Sequence, residues 1–132
     1  MNERVERLRQ MEREISDEKG EFYLFGVFLR EEAPDTWDLV VAAPWAMTDQ
    51  KEVYRYLASK VQEHFSTQEL AQLSRIVIVN PDNPGLDAIT RAVVTQHGAA
   101  EVKNCSFFGL EIKHAYIITS RRPDVPVEAR TG

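Results

Sequence analysis

Cys105 is the single cysteine of the chain, so no disulfide can form within it, and no grouping of cysteine with histidine has the spacing of a structural zinc site. Long apolar runs are missing too. No stretch reaches the roughly 18 residues of a membrane helix, and the first residues are charged where a secretion signal would be apolar. No internal repeat or low-complexity segment occurs. Nor is there an excess of basic residues: the formal net charge of −5 argues against nucleic acid or an anionic membrane as the main partner, because phosphate binding rests on clustered lysine and arginine. These absences point to a cytoplasmic, reduced protein with no metal and no cofactor. Its 132 residues suit one core that buries roughly two thirds of the unfolded surface.

What the chain does contain is organised around residues 20–45, GEFYLFGVFLREEAPDTWDLVVAAPW. Phe22 to Leu29 is apolar throughout and rich in aromatics, too short and too aromatic for a helix, and reads as a strand covered on both faces. Trp37 to Ala43 is its partner, stopped by Pro44, which has no N–H to continue a ladder. Arg30 to Thr36 supplies the turn, so the two runs form a central antiparallel hairpin.

Before it, residues 2–19 place Val5, Leu8, Met11 and Ile15 three or four apart on a highly charged helix that Gly20 closes. After it, Asp49 with Glu52 marks a helix start followed by Val53, Leu57, Ala58, Val61 and Phe65 at helical spacing. Ser66 with Glu69 repeats the signal, predicting a bend near Phe65 and a short helix holding Leu70 and Leu73. Ile76 to Val79 reads as a strand buried on both faces beside parallel neighbours. Asn83 and Pro84 then suit the cap and first residue of a helix through Leu86, Ile89, Ala92 and Val93, closed by Gly98.

A second hairpin runs out from Ala99 to Phe107 and back from Leu110 to Thr119. Alternation in the return strand assigns Leu110, Ile112, His114, Tyr116 and Ile118 to the core face. The tail, 120–132, has too little apolar content to order itself. The predicted fold is α/β (α+β): helix 1–19, then a single domain over 20–119 with a five-stranded mixed sheet and flanking helices, in the order α-β-β-α-α-β-α-β-β.

Several residues invite a chemical reading. Asp38 with Glu111 and Lys113, an aspartate on one strand and Glu-x-Lys on another, resembles the metal-binding core of the PD-(D/E)xK nucleases. The resemblance implies two carboxylates holding Mg²⁺ while the lysine orients a water. The ordinary alternative is a solvated strand face, and the distance in sequence between the two elements favours it. His114, on the apolar face between Ile112 and Tyr116, reads as a hydrogen-bonded core histidine before it reads as a base or ligand. His64 and His97 are read as structural residues near helix ends. Cys105 reads as a small buried side chain. The polar loop of Asp82, Asn83 and Gly85 precedes a helix N-terminus but holds no lysine or arginine, so a plain turn is preferred to an anion site.

The runs FGVFLREEAPDTWDLVVAAPW and NCSFFGLEIKHAYIITS resemble those of a family of small stand-alone bacterial and archaeal proteins. The likeness spans roughly residues 20–120 and implies a domain that stands alone; it brings no activity, cofactor or catalytic residue. The leading functional expectation is therefore a non-enzymatic interaction or regulatory module that associates with itself or with another protein. Its candidate interface is the thin stripe Val5, Leu8, Met11 and Ile15, together with Trp37 and Trp45, which bracket the second strand. The alternatives are a Mg²⁺-dependent nuclease or phosphodiesterase, and a small-molecule sensor.

Overall fold

The computed structural model describes residues 2–122 and holds a five-stranded mixed sheet flanked by helices. Its elements are α1 (Asn2–Lys19), β1 (Leu24–Arg30), β2 (Trp37–Ala42), α2 (Gln50–His64), α3 (Thr67–Ala71), β3 (Leu73–Ile78), α4 (Pro84–Ala92), β4 (Ala100–Phe107) and β5 (Leu110–Ser120), with a 3₁₀ turn at Pro44–Met47. Strands lie in the order β3-β2-β1-β5-β4. β1 is thus the middle strand, and the hairpin predicted at 20–45 is central. Leu24 pairs with Ala42 and Leu29 with Trp37 on one side, while β5 pairs antiparallel on the other. Every residue from Leu24 to Leu29 is buried. Gly26 is needed there because a Cβ would lie 2.8 Å from the Tyr116 carbonyl oxygen across the strand gap.

β3 pairs parallel to β2, as the βαβ spacing requires. It differs from the expected doubly covered strand: standing at the sheet edge, it has a neighbour on one side only and is half-buried. Leu73 also belongs to it, because α3 stops at Ala71.

Two apolar layers cover the sheet. On one face Phe25, Val27, Leu39, Val41 and Ile118 meet α1 and α2; on the other Leu24, Phe28, Val40, Ala42, Ile112 and Ile117 meet Leu86 and Ile89 of α4. The α1 stripe goes into the first layer, with Leu8, Met11 and Ile15 at 3%, 0% and 0% exposure. It is therefore seated in the chain's own core, and the helix packs as part of the domain it precedes. None of the described helices is long and apolar enough to cross a membrane.

The alternation expected along β5 fails for a local reason. Opposite β1 the register skips twice, leaving Lys113 and Ile118 as extra residues, and each bulge reverses the face that following side chains take. Ile112 accordingly joins Ala115 and Ile117 under α4, while Tyr116 and Ile118 face α1 and α2.

Helix starts follow their caps. Asp49 accepts from the Glu52 amide, Ser66 and Glu69 complete a capping box, and Asn83 accepts from the Gly85 amide ahead of Pro84. The bend at Phe65 is present, its backbone extended. Helix α4 ends earlier than Gly98: Val93 is already extended, and Thr95 and Gly98 bond to the end of β5 instead. The expected tail 120–132 begins later than predicted: Ser120 is the buried last residue of β5, and Arg121 donates to the Tyr23 and Phe22 carbonyls, while residues from 123 onward lie outside the described residues.

Candidate ligand cleft

Between the α4 face of the sheet and the tip of the second hairpin lies a cleft of about 190 Å³. Its floor is Phe28 of β1, Asp38 and Val40 of β2, and Arg75, Val77 and Val79 at β3; its walls are Phe107, Phe108, Leu110 and Ile112, with Asn80 and Asn83 at the loop before α4. β-branched residues on adjacent strands make the floor flat and apolar, because alternate side chains of β2 and β3 emerge on the same face. Two turn residues shape the wall. Phe108 and Gly109 both have positive φ, 55° and 73°, the combination a two-residue type I′ hairpin requires. Phe108 holds that conformation without glycine's freedom, and its ring lies over α4: a Cβ on Gly85 would be 2.5 Å from Phe108 Cδ1. The ring of Phe28 meets that of Phe107 edge-on at 6.3 Å.

Into this apolar site the chain places one ion cluster. Asp38, with its side chain 4% exposed, accepts from Arg30 Nε at 2.8 Å and lies 3.2 Å from Arg75 Nε, both through Oδ2. Its other oxygen, Oδ1, has almost no accessible surface and no partner among the described residues. Arg30 is engaged a second time by Glu32, and its guanidinium pKa is raised, first by that bond and then, against the cost of burial, by Asp38. Arg75 is half-exposed, and its terminal nitrogens have no partner among the described residues. Two guanidinium groups thus hold the Asp38 carboxylate in place.

The structure does not bring Asp38 together with Glu111 and Lys113. Asp38 is level with Phe28 and, across β1, with Ala115, so β2 and β5 stand two strand spacings, about 10 Å, apart. Leu110 and Ile112 line the cleft, and Glu111 between them points to the opposite face; Glu111 and Lys113 are both exposed.

His114 is half-buried with its ring 5.7 Å from Trp37 and 4.6 Å from Tyr116. Its Nε2 lies 2.6 Å from Glu101, to which the Tyr116 hydroxyl also donates at 3.3 Å. The Glu101 carboxyl is held below its ordinary pKa, first by the bond to His114. Trp45 is half-buried, donating to the Gly20 carbonyl at 2.9 Å and packing on Phe22. Cys105 is half-buried, and burial pushes its thiol pKa up, the opposite of what an activated nucleophile needs.

Sequence reasoning missed a second polar cluster. Glu12 of α1 is fully buried, with Oε1 2.6 Å from His97 Nδ1 and Oε2 accepting from Thr119 and Ser16. His97 Nε2 lies 3.1 Å from Glu21, so the imidazole bridges two carboxylates from outside any helix, its backbone at φ 53°. Glu12, Glu21 and His97 have ligand atoms close enough for one ion, as do Glu14, Glu63 and His64. In the first set the ring nitrogens point to different carboxylates, and in the second Lys60 already occupies the acidic oxygens. Both sets tie elements together.

Fold and cleft define a class: a small α+β domain whose mixed sheet carries a ring-lined cleft over a buried ion cluster. Compared with protein-family models, curated proteins and solved structures, the chain finds no match.

Proposed function

We propose that the chain is a non-enzymatic binding module whose cleft takes a small, largely apolar ligand. The observation that supports this reading is the convergence of apolar and aromatic walls on a few fixed polar groups, the ordinary anatomy of a ligand site. At 190 Å³ the cleft is smaller than the roughly 300 Å³ of a drug-sized site but larger than the roughly 150 Å³ cavity that accommodates benzene, which limits the ligand to about a single ring. Asp38, paired with two arginines, contributes orientation to such a site.

A fragment screen by thermal shift tests the proposal. A single-ring ligand well above its Kd stabilises the native state by RT ln(1 + [L]/Kd), about 2.7 kcal/mol at a hundredfold excess over Kd, and so raises Tm by several degrees. Val77→Phe, which fills the floor from a half-buried position, is expected to fold and to lose the shift. A screen in which no fragment raises Tm, or in which Val77→Phe responds as the parent does, counts against the cleft.

Association with another protein or a second copy draws support from a different place. β3 is an edge strand, and an open edge accepts a strand from another chain. Light scattering at micromolar concentration checks self-association.

A further inference from the structure

We propose that the cleft takes an aromatic acid, a single flat ring carrying a carboxylate, with the ring on the apolar floor and the acid on Arg75. This names the ligand class for the binding reading above and rests on it. Parity along the strands places the arginine. Arg75 precedes Val77 and Val79 by two and four residues and stands level with Asp38 of β2, so its side chain rises on the sheet face that floors the cleft. There Asp38 engages its Nε at 3.2 Å and restrains the guanidinium, which is still 49% exposed. The terminal N–H groups have no partner among the described residues. They form the planar fork that suits the two oxygens of a carboxylate.

The other polar side chains of the lining lean the same way. Asn80 Oδ1 accepts from the Asp82 amide and Asn83 Oδ1 from the Gly85 amide, each at 2.8 Å, so each carboxamide keeps its NH₂ donor for a ligand. Asp38 shows the cleft little, because Oδ2 is taken by Arg30 and Arg75 and Oδ1 has almost no accessible surface. Asp82, on the same loop as the asparagines, is not among the lining residues. A ring bearing an ammonium would set donors against donors here. A purely apolar ring fills the floor and leaves the fork to water. A ring carboxylate fills the floor and gives the fork two acceptors. The walls suit a flat body, since the rings of Phe28 and Phe107 meet edge-on and Phe108 is pinned over Gly85 at the rim. A volume of 190 Å³ admits about one ring.

Titration calorimetry of the full chain with benzoate, benzamide and benzylamine decides the matter. Benzoate is expected to bind about tenfold or more tightly than benzamide, the gain when a charged acceptor replaces a neutral one on the arginine, and benzylamine more weakly than either. Arg75→Met, a change at a half-exposed side chain, is expected to weaken benzoate by a similar factor and benzamide by clearly less, a split that loss of the cleft's shape would not produce. Equal affinity for benzoate and benzamide, or an Arg75→Met protein that loses both alike, overturns the acid recognition and leaves the cleft reading standing. Benzylamine binding more tightly than benzoate overturns it in favour of a cation held at Asp38. If none of the three binds while other fragments raise Tm, the acid recognition falls alone; if the fragment screen is silent as well, both inferences fall.

Discussion

Phe25 has no exposed surface, and its ring lies 4.9 Å from that of Phe22 in the layer under α1. Replacing it with alanine opens a cavity where the surroundings cannot collapse, because strands pair on both sides of β1. The expected cost is about 3–5 kcal/mol, enough to threaten a domain stable by roughly 5–15 kcal/mol. Glu111→Ala, at an exposed site, is expected to change stability by less than about 0.5 kcal/mol. Urea melts of the two variants make the comparison, and a Phe25→Ala protein as stable as its parent would remove the hairpin from the centre of the fold. Both placements were legible from the apolar run around Phe25 and the Glu-x-Lys alternation around Glu111. Arg75 and Phe108 were not: one arginine ahead of an apolar run and one phenylalanine in a turn look ordinary until the sheet sets them on opposite sides of a cleft. Glu12 was hidden among the many acidic residues of α1, and only the approach of His97 and Thr119 distinguishes it.

At the scale of elements, starts were easier to read than ends. Caps are local, and Asp49, Ser66 and Asn83 each stand where a helix begins. The close of α4 depends instead on β5, which draws Thr95 and Gly98 into its own hydrogen bonds; the bulges of β5 likewise answer to the partner strand. Helix α3 shows how much one cap carries. It has five residues, too few to persist without help, and Ser66 with Glu69 fixes its first turn while Glu69 also pairs with Arg7 of α1. Ser66→Ala is expected to cost about 1 kcal/mol, within a range of roughly 0.5–2. The midpoint of a urea melt reads it, and an unchanged midpoint would mean that the ion pair to α1 holds α3 alone.

Over the whole molecule, acidic residues outnumber basic ones, yet several carboxylates hold the layers together. Glu14 is kept below its ordinary pKa of 4.5 by hydrogen bonds from Lys60 and then His64, and Glu18 by bonds from Tyr56 and then Lys60. At Glu69 burial pulls the value up, but bonds from Arg7 and Ser66 outweigh it, so it too ends lowered. A carboxyl group with a depressed folded pKa stabilises the native state above its unfolded pKa, and that contribution is lost as pH falls through the folded value. Stability is therefore expected to hold from neutrality down to about 4.5 and to decline below it, with the urea midpoint at pH 3.5 clearly under that at pH 7. Equal midpoints would show that these pairs join surfaces already held by packing.

The strand order was the least legible feature, since pairing between β1 and β5 leaves no mark in either segment. It has a consequence for the growing chain. A nascent polypeptide that has reached β4 holds three strands whose middle-strand-to-be still shows one bare edge, and at roughly 5–20 residues per second that edge waits about one to four seconds until β5 is synthesised. During synthesis the chain is thus most exposed to chaperones, or to the β5 of a neighbour on the same message, along the strand that ends up best protected.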